Sequence, residues 1–148
     1  MSIDTLIDDF SFLESWEDRY KYLIELGSKL PHFDEEKKKE EWKISGCQSQ
    51  VWIIPHFDND MLYFEGDSDA IIVRGIIAVV LEIFKDKSVQ EIFDIDVEEI
   101  FDKLGLREHI TPNRRSGMLS MVDKMKYYAS QKLKEWDEYS RVSSKKNF

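Results

Sequence analysis

The sequence predicts an α+β domain: a small antiparallel three-stranded sheet packed with several helices. Three observations carry that class. A central block, Val51-Trp52-Ile53-Ile54, then Asp58-Asn59-Asp60, then Met61-Leu62-Tyr63-Phe64, has the β-branched and aromatic content and the turn chemistry of a hairpin. On both sides of it, apolar residues recur at helical spacing behind capping residues. The 148 residues, 42% hydrophobic and 13% aromatic, suffice for one core, and no linker or repeat divides them.

The elements follow in order. Ile3, Leu6, Ile7 and Phe10 predict a short amphipathic helix. Ser15 is an N-cap with Glu17 and Asp18 in the first turn, and Tyr20, Leu23 and Ile24 continue a second helix. Gly27 fits a left-handed helix end, with Pro31 beyond it. Asp34 to Glu41 is a charge cluster that reads as a solvated loop or helix turn. Gln50–Phe57 and Met61–Glu65 are the hairpin strands, and Trp42-Lys43-Ile44 is the expected third strand. Pro55 has no N–H and belongs at an edge, bulge or strand end. Asp67, Ser68 and Asp69 are caps for a helix from about Ala70 to Phe84, apolar on nearly every side and therefore central. Ser88 with Glu91 and Asp96 with Glu99 predict capping boxes for two short helices, the second closed by Gly105. Thr111-Pro112 opens a last helix whose buried stripe is Met118, Met121, Val122, Met125, Tyr128 and Ala129. The stripe weakens to Leu133 and Trp136, and Ser140 to Phe148 is a polar end expected to fray.

Composition excludes several functions. One cysteine forms no internal disulfide and supplies no Cys-rich zinc or iron–sulfur site. A net charge of −9 argues against nucleic acid as the main partner. No apolar run approaches the ~20 residues of a membrane span. The N-terminus lacks the basic region and apolar core of a signal peptide, so the expected location is cytoplasmic. Asp58/Asp60 and Asp67/Asp69 resemble calcium-loop fragments, but Leu62 and Ile71 fall where further ligands belong.

Attention therefore falls on the cysteine. By residue type a lone Cys is a small buried hydrophobe. Its setting, Ser45-Gly46-Cys47-Gln48-Ser49-Gln50, is instead a polar loop before a strong strand, which suits a reactive thiol. Lys43 and Arg114 are the candidate cations beside it. His32, His56 and His109 lie in no recognisable Cys–His hydrolase signature.

Gly46-Cys47-Gln48-Ser49-Gln50-Val51-Trp52 resembles the signature of the SufE family, sulfur acceptors of cysteine desulfurases. Three further blocks resemble that family in order: Tyr22 to Gly27 with Leu30-Pro31; Gly66 to Ala70 with Val73-Arg74-Gly75; and Leu106, His109, Thr111-Pro112, Arg114 and Gly117. The resemblance covers roughly residues 5 to 129. Where members often have Asn five residues before the cysteine, this chain has Trp42, and Arg115 adds a base beside Arg114.

The resemblance implies a SufE/IscU-like fold, with residues 1–130 a single sulfur-acceptor domain and 131–148 a helical extension and polar tail. It implies that Cys47 takes sulfur from a SufS-type desulfurase and passes it to a SufBCD-type scaffold, stimulating the desulfurase on the way. The protein then carries a transient persulfide, has no resident cofactor or metal and is no enzyme in its own right. Gln48, Gln50, Asp69 and Arg114 become partner-contact candidates, with helix capping the bland alternative for Asp69 and surface charge that for Arg114. Monomer and homodimer both stay open, as does the sister Csd-type system as client. The competing readings are an activator that carries no sulfur and a thiol redox sensor. A cluster scaffold of the IscU type would need more cysteines than this chain has.

Overall fold

The computed structural model describes residues 2–146, the side chains of His109 and of residues 142–146 excepted. Helix α1 (Ile3–Ser11) is capped by Ser2, whose hydroxyl accepts the Thr5 N–H, and it buries Leu6 and Phe10. Helix α2 (Trp16–Ser28) is capped by Ser15 through the Asp18 N–H, as its sequence predicts. Gly27 does not end that helix in a left-handed conformation; it lies inside α2. A Cβ there would stand 2.6 Å from the Gly75 backbone nitrogen, and one on Gly75 would stand 2.3 Å from the Leu23 carbonyl oxygen. The two glycines let α2 meet α3 (Ile71–Phe84) backbone to backbone.

The hairpin is β1 (Val51–Asp58) and β2 (Met61–Ser68), paired from Val51 opposite Ser68 to Asp58 opposite Met61. Asn59, at φ +55°, makes the turn. Both strands of a two-stranded sheet are edges, which accommodates Pro55 within β1. The expected third strand is not confirmed among the described residues. Glu40–Trp42 is a 3-10 turn, and only Lys43 bridges to Trp52, with the Ile44 N–H donating to the Val51 carbonyl at 2.8 Å. The chain meets the sheet edge there for one pair and then must turn at Gly46, whose φ is +82°.

The four residues Val51 to Ile54 are all buried because both faces of β1 are covered. Val51 and Ile53 enter the main core; Trp52 and Ile54 pack on Phe33 and Trp42. Residues 33–44 thus form a strap over the outer face. Lys37 pairs with Glu65 at 3.0 Å, and Lys38 pairs with Asp67 at 3.6 Å while sitting over the Trp52 ring. The segment holds two 3-10 turns, Glu35–Lys37 and Glu40–Trp42, as the helix-turn reading allows, and these pairs also tie it to the sheet.

Helix α3 is the central element, burying Ile72, Ile76, Ile77, Val79, Val80, Ile83 and Phe84. Its N-cap is Ala70, with no side-chain cap. Of the three expected caps, Ser68 accepts the Ala70 N–H, Asp67 pairs with Arg74 at 3.1 Å, and Asp69 reaches the cysteine loop. Helix α4 (Val89–Asp94) has the full Ser88–Glu91 capping box. Helix α5 (Val97–Lys103) has the Asp96 cap alone, and Gly105 follows at φ +72°. Helix α6 (Pro112–Lys146) starts with the Thr111 hydroxyl accepting the Arg114 N–H at 3.3 Å. It buries Met118, Met121, Val122, Met125 and Ala129, while Leu133 and Trp136 pack partly buried against the core. The expected fraying from Ser140 is not seen as far as Lys146, and residues 147–148 lie outside the described ones. No helix among the described residues is long and apolar enough to cross a membrane.

Candidate functional site

The loop 45–50 is held at both ends. At its start, Gly46 lies so close to α6 that a Cβ would stand 3.0 Å from the Ser120 hydroxyl. At its end, the Gln50 N–H donates to the Asp69 carboxylate at 3.0 Å, and the Asp69 N–H donates back to the Gln50 carbonyl at 3.3 Å. Asp69 is therefore a latch on the loop rather than a helix cap. The cap and the latch both need a short acid at this point, so sequence alone does not separate them.

Between these anchors Cys47 faces α6. Its thiol donates to the Gly117 carbonyl at 3.5 Å, and Gly117 has no side chain to occupy the space beside the sulfur. A Cβ there would meet Sγ at 3.4 Å. Cys47 opens on a cavity of about 340 Å³. Val51, Val73, Ile76, Met118 and Met121 supply its apolar lining; Gln48, Ser49, Thr111, Asn113 and Arg114 supply the polar part. Burial pushes the Cys47 thiol above its ordinary pKa, so the resting side chain is a neutral thiol at pH 7.

The structure brings Cys47, Gln48 and Arg114 to one cavity; Gln50 and Asp69 join the site through the loop's backbone. Lys43 is not beside the thiol. It lines a separate groove with Ser45, Ser120, Asp123 and Lys124. Arg115 is held by Glu98 at 2.7 Å, leaving Arg114 as the base at the cavity. His56 pairs with Glu65 and His32 with Asp34, and neither lines the cavity; the His109 side chain lies outside the described ones. Among the described residues no group of three or more His, Cys, Asp or Glu could hold a metal ion.

Asn113 escaped the sequence reading altogether, and nothing in its local pattern marks it. Met118 and Met121 were legible as a buried stripe, but that stripe also lines the cavity, which no periodicity distinguishes.

The family model for SufE, described as an Fe-S metabolism associated domain, matches residues 4–129. An uncharacterised SufE-like protein of Rhizobium meliloti is 48% identical over 136 residues, spanning 89% of this chain and 97% of its own. Another, from Rhizobium etli, is 49% identical over 129 residues, spanning 84% and 87%. A hypothetical protein from Thermus thermophilus, solved in solution, shares the fold with a TM-score of 0.72 at 16% identity, covering 90% of this chain and 99% of that one. With the cysteine loop, its latch and its cavity in place, the chain belongs to the SufE family, which is associated with iron–sulfur metabolism and with cysteine desulfurase partners.

Proposed function

We propose that the protein accepts sulfur on Cys47 from a SufS-type cysteine desulfurase and passes it to a SufBCD-type scaffold, stimulating the desulfurase by clearing its persulfide. The observation that carries this reading is the position of the one thiol: partly buried, on a latched loop, with open space beside the sulfur. An added sulfur atom needs that space. It also needs no neighbouring thiol, which would expel it as sulfide and close a disulfide.

The chemistry is exchange at sulfur. Cys47 gives up its proton, which the departing donor thiolate takes up in the net reaction, and its thiolate attacks the outer sulfur of the donor's persulfide. The new S–S bond forms as the donor's breaks, and the donor cysteine leaves as a thiolate. No net electrons are gained or lost. Because burial disfavours the thiolate at rest, docking must draw the loop outward or bring a cation to Sγ. Gln48, Gln50, Asp69 and Arg114 are the residues a docked desulfurase would meet, and a charged contact of this kind weakens with salt. The persulfide is cargo, the site belongs to one domain spanning residues 1–130, and the work is cytoplasmic. The redox-sensor reading is disfavoured, since sensors rely on thiols of lowered pKa.

The test is the intact mass under non-reducing conditions after incubation with a desulfurase and cysteine. A gain of one sulfur, absent in Cys47→Ser, supports the proposal; no gain, or the same gain in the variant, defeats it. If Cys47→Ser still stimulates the desulfurase, the protein is an activator without cargo.

A further inference from the structure

Loading changes the charge at the cavity. The empty thiol is neutral and donates to the Gly117 carbonyl at 3.5 Å. A hydropersulfide is a stronger acid than the thiol it grows from, so the loaded residue ionises far more readily near neutral pH than the empty one. The Gly117 carbonyl cannot serve it: Sγ no longer carries a hydrogen, and an oxygen lone pair repels the new charge. Some other group must offset an anion in a cavity whose apolar lining is Val51, Val73, Ile76, Met118 and Met121 and whose Gln48, Ser49, Thr111 and Asn113 supply only neutral dipoles.

Among the described residues lining that cavity, Arg114 is the one charged side chain. It stands in the first turn of α6, where the helix dipole also favours an anion. Among the described residues the other charges nearby are engaged or turned elsewhere. Asp69 binds the Gln50 backbone, Arg115 pairs with Glu98, and Lys43, Asp123 and Lys124 line the separate groove. β1 and α3 contribute only apolar side chains to the lining.

We infer that Arg114 is the counter-ion of the loaded site, so that sulfur loading moves the side chain of Cys47 from the Gly117 carbonyl to the positive end of α6. This rests on the reading of Cys47 as sulfur carrier, and it gives Arg114 a positioning role toward the cargo, distinct from contact with a partner. It also lets the protein sense its own state, since the empty thiol has no such demand for a cation.

The test loads the full chain with inorganic polysulfide, which bypasses any partner, and titrates the persulfide. Its near-ultraviolet absorbance and its rate of capture by iodoacetamide are followed against pH, with intact mass as the check on loading. In Arg114→Gln the ionisation midpoint rises by about one pH unit, about tenfold less anion at pH values below both midpoints. Arg114→Lys restores most of the shift. If wild type and Arg114→Gln both load and share one midpoint, this inference fails while the carrier reading stands. If the wild type takes up no sulfur, both fail together.

Discussion

Gly117 leaves room beside the Cys47 sulfur, and the three nearest atoms an added Cβ would meet there all belong to Cys47. A methyl added there meets Sγ at 3.4 Å, ordinary contact, and the two other nearest atoms, Cys47 Cα and Cβ, at 3.8 Å. Alanine therefore fits. Inside a helix alanine is better than glycine by ~1 kcal/mol. Gly117→Ala is expected to melt at or above the wild-type temperature while its Cys47 reacts several-fold more slowly with iodoacetamide. A lowered melting temperature, or an unchanged alkylation rate, would show that the space beside Sγ is not what this glycine provides. The cysteine is a candidate from the sequence because its neighbours are polar and its loop precedes a strong strand. Its true surroundings were not legible, because Gly117 lies 70 residues away and a glycine carries no chemistry to mark it.

The same substitution has the opposite result where two elements cross. At Gly75 the added methyl would stand 2.3 Å from the Leu23 carbonyl oxygen and 2.7 Å from its carbon, backbone atoms that move only if α2 moves. Overpacking of this kind costs about 3 kcal/mol. Urea denaturation of Gly75→Ala should show that loss, and stability equal to wild type would refute the backbone-to-backbone crossing of α2 and α3. The cysteine loop is a second element-scale device. Its latch is the Asp69 carboxylate on the Gln50 N–H; without it the loop keeps the backbone bond from the Asp69 N–H to the Gln50 carbonyl, the Cys47 bond to the Gly117 carbonyl, the packing of Gly46 on Ser120 and the bridge at Ile44. Asp69→Ala is expected to lower stability by ~1 kcal/mol and to speed alkylation of Cys47 several-fold, since the thiol leaves its pocket more often. Should alkylation stay at the wild-type rate, the latch does not govern access.

Across the whole molecule, the order and kinds of most elements were legible because caps, periodicity and turn residues are local signals. The hairpin, the central apolar helix and the Thr111-Pro112 helix start all lie where those signals put them. What stayed hidden was made of long-range pairs: the strap's Lys37 with Glu65, Arg19 donating to the Gly105 carbonyl, and Tyr22 donating to Asp9 at 2.8 Å. Two of these pairs, at Glu65 and Tyr22, also shape how stability varies with pH. Burial alone would raise the Glu65 pKa, but its bonds to His56 and Lys37 outweigh that and lower it. A depressed carboxylate contributes stability above its unfolded pKa, and the contribution is lost as pH falls through the folded value. Tyr22 acts at the other end. Burial first, then the hydrogen bond and charge of Asp9, push its phenol up to about 12. A raised phenol contributes stability that is complete below its ordinary pKa of about 10 and is lost as pH climbs toward the folded value. Cys47 and Tyr128, both raised by burial, lose their contributions in the same alkaline direction. Tyr22→Phe removes only one of these terms, so urea-derived stability should fall by ~1 kcal/mol at pH 7. Its decline from pH 10 upward should become shallower than in wild type. Parallel alkaline limbs in the two proteins would mean that the Tyr22–Asp9 bond does not couple folding to the phenol's proton.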